Sequence, residues 1–163
     1  MLFRSLLGNA LVLIAPAAST TRLTIAPGFP VRAALGADGR IALGEPNSVP
    51  AGKYARAAFE HLGVWDALRP RVVAAENVRA ALNFVVRGEA GLGVVYRSDS
   101  VGEPGVRVLD TFPAATHAPI VYPAAIVREH DGEAARRLLA ALRSDTAQAI
   151  FRRHGFDAPP ARP

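Results

Sequence analysis

The fold is decided by the stretch Glu45-Pro46-Asn47-Ser48-Val49-Pro50-Ala51-Gly52-Lys53-Tyr54. This stretch follows a short apolar run, Arg40 to Gly44, and precedes an amphipathic pattern with the period of a helix. The order predicts a strand, a turn and a helix. Asn47 or Ser48 is suited to the N-cap, and Pro50 is suited to the first helical position, where a backbone N–H has no partner to lose.

A helix start of this kind is suited to bind an anion. Its first backbone N–H groups, including that of Ala51, have no acceptor inside the helix and carry the positive end of the helix dipole. A second start has the same character, because Asn77 is suited to the N-cap and places the N–H of Val78 in the first turn. From these two stretches alone, ordinary capped helix starts are the simpler interpretation.

The rest of the chain alternates between apolar runs of strand length and amphipathic stripes. The predicted strands are Ala10 to Ala15, Arg40 to Leu43, Arg71 to Ala75, Leu92 to Tyr96, Val106 to Leu109 and Ile120 to Val127. Helices are predicted to start near Pro50, Val78, Asp131 and Ser144, and Met1 to Leu7 is expected to be the end of a further helix. Such alternation predicts an α/β fold with a mostly parallel sheet, in which ligands bind where strands end and helices begin.

Composition argues against several classes of protein. The chain has 163 residues, of which 50% are hydrophobic, and this is enough for the core of one domain or slightly more. The formal charge is +5, but the basic residues are scattered arginines with the single lysine Lys53, whereas nucleic-acid binders more often cluster them. No nucleic-acid partner is therefore expected. The absence of cysteine excludes disulfides and thiolate metal sites.

No catalytic constellation is recognisable. Glu45, Glu76 and Asp99 stand near the predicted helix starts and strand ends, but no nucleophile motif accompanies them, so they are interpreted as solvated loop residues. His117 and His154 are isolated and lack a second histidine or a cysteine at metal-ligand spacing. The chain is predicted not to be an enzyme and not to bind a metal cation.

The amino-terminal stretch Met1 to Ser19 mimics a signal peptide, because one arginine precedes an apolar run and small residues. Gly8 and Asn9 interrupt the apolar run, and the run is too short to span a bilayer. A buried strand that follows a turn fits the same residues equally well.

Several stretches occur in an order and spacing typical of one family. They are Ile41 to Ala55, Leu62 to Leu68, Ala75 to Leu82, Gly91 to Asp99, Thr111 to Pro113 with His117, Tyr122-Pro123, and Ile150-Phe151 with His154 to Phe156. In these stretches the chain resembles the periplasmic molybdate-binding proteins of ABC transporters. The match runs from about Leu6 to Phe156.

The resemblance implies a type II periplasmic-binding-protein fold, in which two α/β lobes joined by hinge strands enclose an anion. It implies that neutral donors hold tetrahedral molybdate or tungstate: the N–H of Ala51, the N–H of Val78 and the phenol O–H of Tyr96. The oxyanion is then a ligand, and no cofactor is expected. The implied partner is the membrane permease subunit of an ABC importer, and the chain itself is not expected to enter the membrane.

Members of this family carry roughly half a lobe more than this chain, including two serines of the anion shell. The expected division is therefore a remnant of a lobe 1 helix at 1–9, a complete lobe 2 at 10–120, a hinge strand and C-terminal lobe 1 helices at 121–156, and a disordered tail at 157–163. The expected fold is incomplete, with one whole lobe and the C-terminal part of the other. Leu11 to Ile14 then form a hinge strand.

Two consequences follow from this division. Anion affinity is expected to be impaired, and the last two helices are expected to expose apolar faces that favour self-association, although family members are monomers. The resemblance implies a periplasmic location, while the weak signal-peptide pattern leaves a cytoplasmic one open. An alternative is an anion-sensing or interaction module that dimerises through its C-terminal helices, and an enzyme acting on an oxyanion or a phosphate ester is disfavoured.

Overall fold

The computed structural model describes residues 2–159 and the side chains of residues 5–159. The chain divides into two compact units, with Met1–Asn9 and Pro119–Pro163 in unit 1 and Ala10–Ala118 in unit 2. Within the described part of the chain, no helix combines the length and the apolar character that crossing a membrane requires.

Strands and helices alternate along most of the chain. The strands are β1 (Leu2–Asn9), β2 (Leu11–Pro16), β3 (Ile41–Gly44), β4 (Val72–Ala75), β5 (Leu92–Tyr96), β6 (Val106–Thr111) and β7 (Ile120–Ile126). The helices are α1 (Val31–Ala34), α2 (Pro50–His61), α3 (Trp65–Leu68), α4 (Val78–Val86), α5 (Arg97–Ser100), α6 (Glu133–Leu142) and α7 (Asp145–Arg153). Most predicted elements are present, with ends that differ by one or two residues.

Unit 2 is built on a five-stranded sheet with the order β4-β3-β5-β2-β6. β3 runs parallel to both β4 and β5, whereas β2 is antiparallel to both β5 and β6. Four strands therefore share one direction and β2 opposes them, so the sheet is mostly parallel but mixed.

The core of unit 2 lies on both faces of this sheet. The first five residues of β2, from Leu11 to Ala15, are completely buried, as a central strand covered on both sides requires. On one face Val12 and Ile14 pack with the apolar side of α4. α2 also packs on the sheet, and its Phe59 lies edge-on to Phe112 with ring centroids 5.4 Å apart.

Unit 1 contains a two-stranded antiparallel sheet formed by β1 and β7. The prediction that Met1 to Leu7 ends a helix is therefore wrong, because Leu2–Asn9 is a strand whose register pairs Leu2 with Ile126 and Asn9 with Ile120. Short apolar runs do not distinguish a helix from a strand by their own pattern. The partner that decides between them is more than a hundred residues away, as the register shows.

The expected disordered tail also needs correction at its first residue. Asp157 forms a bridge with Gly8, in which each backbone N–H donates to the other's carbonyl at 2.9 Å. Residues 160–163 of that tail lie outside the described part of the chain. The ring of Phe156, just after α7, packs edge-on against two other aromatic rings. Its centroid lies 6.4 Å from that of Phe151 in α7 and 5.6 Å from that of Tyr122 in β7.

Candidate functional site

Three neighbouring parallel strands of unit 2 end at the same edge of the sheet. They are β4, β3 and β5, in that spatial order. α2, with Ala51 in its first turn, follows β3, and α4, which begins at Val78, follows β4. Tyr96 is the last residue of β5. The structure therefore brings all three residues predicted to bind the anion to one edge, the position at which α/β sheets bind ligands.

The turn between β3 and α2 is organised by the carboxylate of Glu45. This carboxylate accepts hydrogen bonds from the backbone N–H of Asn47 at 2.8 Å, the side-chain amide of Asn47 at 3.0 Å and the hydroxyl of Ser48 at 3.0 Å. These donors stabilise the ionised form, and the backbone bond from Asn47 is the main reason why the pKa of Glu45 is lowered.

The prediction that Asn47 or Ser48 is the N-cap of α2 is wrong. The N-cap is Val49, an extended residue without a capping side chain, and Pro50 takes the first helical position as predicted. Oδ1 of Asn47, the atom that would cap the helix, accepts a hydrogen bond from Nη1 of Arg56 at 2.8 Å, and the hydroxyl of Ser48 is turned toward Glu45. Side-chain partners in the turn and on α2 therefore occupy the polar groups that the prediction assigns to the cap.

A close contact between backbones fixes the start of α2 against the end of β3. A methyl group added at Gly52 would lie 2.0 Å from the carbonyl oxygen of Gly44, and one added at Gly44 would lie 2.6 Å from Cγ1 of Val49. Both positions therefore require glycine for steric reasons. The contact holds the first turn of α2 directly at the edge of the sheet.

Ala51 lies in this first turn and is 1% exposed. Within residues 2–159, no protein acceptor is bonded to its backbone N–H. Buried backbone N–H groups in folded proteins are nearly always paired. This N–H therefore remains available as a donor to a small acceptor that reaches the helix start.

The start of α4 is capped as predicted. Asn77 is extended, with φ −157° and ψ 170°, and its side-chain oxygen accepts a hydrogen bond from the N–H of Ala80 at 2.8 Å. The described residues provide no acceptor for the N–H of Val78, and the Val78 side chain packs against the core cluster under α4. The second helix start thus also offers a free backbone donor.

At the end of β5, Tyr96 is half-buried and its backbone N–H donates to Oδ2 of Asp99 at 3.3 Å. Oδ1 of the same carboxylate lies 4.0 Å from Nε of Arg79, and the Asp99 side chain is only 12% exposed. Burial raises the pKa of Asp99 against the opposing effects of the Tyr96 bond and of Arg79. The interpretation of Asp99 as a solvated loop residue is therefore wrong, whereas Glu76 is exposed as expected.

His117, an isolated histidine in the sequence, packs on the first turns of α2. Its ring centroid is 5.7 Å from that of Tyr54, and Nδ1 lies 2.8 Å from the carbonyl oxygen of Ala118. Since a carbonyl only accepts, Nδ1 carries the proton of this bond. Nε2 is buried and has no partner among the described residues.

The chain is similar to known proteins in both sequence and structure. Residues 3–157 match the family model described as bacterial extracellular solute-binding protein. The molybdate-binding protein ModA of Escherichia coli (strain K12) is 42% identical over 153 residues. That match covers 94% of this chain and 60% of the relative, so the chain spans less than two thirds of that protein's length.

Two solved structures share the fold. A substrate-binding domain assigned to a molybdenum ABC transporter from Clostridium difficile superposes with a TM-score of 0.83 at 33% identity, over 97% of this chain and 67% of that chain. The periplasmic molybdate-binding protein of Azotobacter vinelandii has a TM-score of 0.74 at 25% identity, over 97% and 68%. These likenesses confirm the predicted α/β fold of the periplasmic-binding-protein type.

Proposed function

Because this chain belongs to the family of bacterial extracellular solute-binding proteins, we propose that it forms one side of the oxyanion site in the solute-binding component of a molybdate or tungstate ABC importer. Two of the three relatives named above are molybdate-binding proteins, and the third is assigned to a molybdenum transporter. The role is binding without a covalent step, since the family is one of solute-binding proteins and not of enzymes.

The observation that supports this function best is the meeting of three donors at one sheet edge. Ala51 and Val78 contribute backbone N–H groups from the starts of two helices, and Tyr96 ends the strand between β3 and β2. Helix starts favour negative charge through their unpaired N–H groups and their dipoles. All three donors are neutral, so a tetrahedral dianion is held without a positively charged side chain.

These 163 residues are proposed to supply only part of the hydrogen-bond donors that surround the anion, so their affinity for it should be low. A hydrogen bond to a charged group contributes about 1.5–3 kcal/mol. Two further contacts of that strength, which the resemblance assigns to serines in a segment that this chain does not match, correspond to a loss of roughly 10²- to 10⁴-fold in affinity. Micromolar or tighter molybdate binding by the isolated chain would contradict this part of the proposal.

Val78 allows a donor to be removed without disturbing the helix. Val78→Pro deletes the N–H at the first helical position, where proline is favoured, and the extended Asn77 already has the conformation that a residue before proline adopts. We expect molybdate affinity, measured by isothermal titration calorimetry, to fall about 10- to 150-fold. Val78→Ala is the matched control, because it keeps the N–H and should retain affinity within a few-fold.

Three outcomes would count against the proposal. The first is an absence of molybdate binding at millimolar concentration, and the second is equal affinity of the Pro and Ala variants. The third is sulfate binding as tight as molybdate binding, since selection between tetrahedral dianions depends on the size of the site. Tyr96→Phe tests the third donor in the same titration and should weaken binding by a similar factor.

The proposed partner is the membrane permease of the importer, and the proposed location is the periplasm. Both come from the family, whose members work outside the cytoplasmic membrane. Co-purification with the permease of the same organism tests the partner, and fractionation of cells that express the native gene tests the location.

A second candidate function is supported by the exposed apolar surface of unit 1. Leu138 on α6 is 63% exposed and Val127 after β7 is 53% exposed, and neither α6 nor α7 has a buried residue. Such a surface fits an interaction module that dimerises through these helices. Sedimentation velocity decides between the two: a monomer at all concentrations contradicts the module, and a dimer that Leu138→Glu dissociates supports it.

A further inference from the structure

We propose that Asp99 is a positioning residue of the anion site, whose carboxylate links the start of α4 to the end of β5 and fixes Val78 relative to Tyr96. This inference rests on the function proposed above, but it concerns a link that exists in the ligand-free protein. It assigns a role to a side chain that the sequence pattern treated as solvated.

The Asp99 contact joins the ends of two strands that are not neighbours in the sheet. α4 follows β4, and β4 is separated from β5 by β3, so no backbone ladder joins β4 to β5. Adjacent strands are about 4.8 Å apart, which places β4 and β5 at roughly twice that distance. The packing of α4 on β5 brings the two ends near each other, and the Asp99 contact adds a polar link beside the strand whose helix carries Ala51.

The carboxylate has one contact on each side. Oδ2 accepts the backbone N–H of Tyr96 at 3.3 Å, and Oδ1 lies 4.0 Å from Nε of Arg79, the residue after Val78. Both contacts therefore involve a predicted donor or its direct neighbour in the chain. Asp99 and Tyr96 are three residues apart, whereas Arg79 reaches the carboxylate from a different helix.

Exposure differs between the two partners. The Asp99 side chain is 12% exposed and the Arg79 side chain is 77% exposed. Burial of a carboxylate has a free-energy cost that contacts must offset, and its raised pKa reflects this cost. A solvated loop residue would not incur it. Arg79 is the charged side chain, among the described residues, that counteracts the effect of burial on Asp99.

A purely local role, capping the short helix α5, is the competing explanation. A local cap affects Tyr96 and α5 only, whereas a link across the sheet also affects Val78. Arg79 separates the two explanations because it plays no part in capping α5. Its high exposure also makes it a site where substitution should leave the fold intact.

The test compares two pairs of variants by ¹⁵N NMR without ligand and by molybdate titration. Arg79→Ala breaks one contact and Arg79→Lys keeps the charge. Asp99→Ala breaks both contacts, and Asp99→Asn keeps only an acceptor for Tyr96. We expect the Val78 amide signal to move in Arg79→Ala and Asp99→Ala and to stay near its native position in Arg79→Lys.

Affinity should follow the same order. We expect Arg79→Ala and Asp99→Asn to weaken molybdate binding about two- to fivefold, the range of an exposed ion pair. Asp99→Ala should weaken it about tenfold, because it also loses the bond to Tyr96. Arg79→Lys should bind like the native chain.

The two proposals fail in different ways. If native protein does not bind molybdate, the proposed function fails, and the ligand-free Val78 signal still decides whether the link exists. If native protein binds molybdate but the Val78 signal and the affinity are the same in Arg79→Ala and Arg79→Lys, the link is overturned and the function stands. If Asp99→Ala does not fold, the Arg79 pair alone decides.

Discussion

Two carboxylates beside the candidate donors have pKa values displaced in opposite directions. The pKa of Glu45 is lowered because Asn47 and Ser48 donate to its ionised form. The pKa of Asp99 is raised because burial disfavours its charge more than Tyr96 and Arg79 favour it. The first carboxylate therefore stabilises the turn before α2 when it is ionised, whereas the second is held at the end of β5 against a desolvation cost.

Glu45 makes the stability of this turn depend on pH. A carboxylate whose pKa is lower in the folded than in the unfolded protein stabilises the fold above the unfolded pKa, and that stabilisation disappears as the pH falls through the folded pKa. We expect Glu45→Gln to lower the melting temperature by a few degrees at pH 7, and the difference from native protein to shrink below pH 4.5, the ordinary value for this group.

Differential scanning calorimetry between pH 3 and pH 7 makes this measurement, with buffers of constant ionic strength. Glu129→Gln is the control, because Glu129 is an exposed glutamate without a hydrogen bond like that of Glu45 among the described residues. A difference between native protein and Glu45→Gln that is the same at every pH would show that the charge of Glu45 has no role in the turn.

Among the secondary-structure elements, β3 and α2 are joined at a tightly constrained junction. Gly44 and Gly52 approach so closely that neither has room for a methyl group, and the contact fixes the first turn of α2 at the edge of the sheet. The contact between the two glycines therefore fixes the position of the backbone N–H of Ala51. A donor held by packing of backbones needs no side-chain cap, which agrees with the absence of one at Val49.

Substitution of Gly52 tests this junction. Alanine is favoured over glycine in helices by about 1 kcal/mol, so propensity alone predicts that Gly52→Ala stabilises the chain. The clash with the carbonyl of Gly44 predicts the opposite, a decrease of about 1–3 kcal/mol in the free energy of unfolding. Urea denaturation followed by circular dichroism gives the sign.

Gly91 provides the matched control for that substitution. It is exposed, and a methyl group added there would have no atom within 4 Å. Gly91→Ala should therefore leave the free energy of unfolding nearly unchanged. Equal stability of the two variants would mean that β3 and α2 separate easily.

The sequence was informative about elements where local signals agree with the final contacts. β5 was predicted with its observed ends, and Asn77 was predicted as the N-cap of α4, because both depend on residues within a few positions. Predictions failed where a distant residue decides. β1 is a strand because of β7, and Asp99 is buried by elements that its own neighbours in sequence do not reveal.

For the whole molecule, the main feature is the unequal share of apolar core in the two units. Among residues whose side chains are described, all buried hydrophobic residues except Leu7 and Ile120 belong to unit 2. Unit 1 is held chiefly by its two-stranded sheet and a few aromatic contacts, and two-stranded sheets are marginally stable.

Hydrogen exchange should show that unit 1, with less apolar core, opens more easily than unit 2. We expect amides of β1, β7, α6 and α7 to exchange faster than those of β2, β3 and β5, since local opening is easiest where few apolar contacts are lost. Mass spectrometry of peptic fragments makes the comparison at one pH and temperature. Equal protection in the two units would show that they open as one cooperative body.

The position of β2 in the sheet has a consequence for how the polypeptide is made. β2 is the first strand of unit 2 to leave the ribosome, yet its two partners, β5 and β6, are made after β3, α2, β4 and α4. Parallel pairs such as β3 and β4 close over shorter loops, so they form sooner. Until β5 is complete, the five apolar residues of β2 have no partner strand, and they are a natural target for chaperones during synthesis. In this unit the first strand to be synthesised gains its first partner only when the fourth strand has been made.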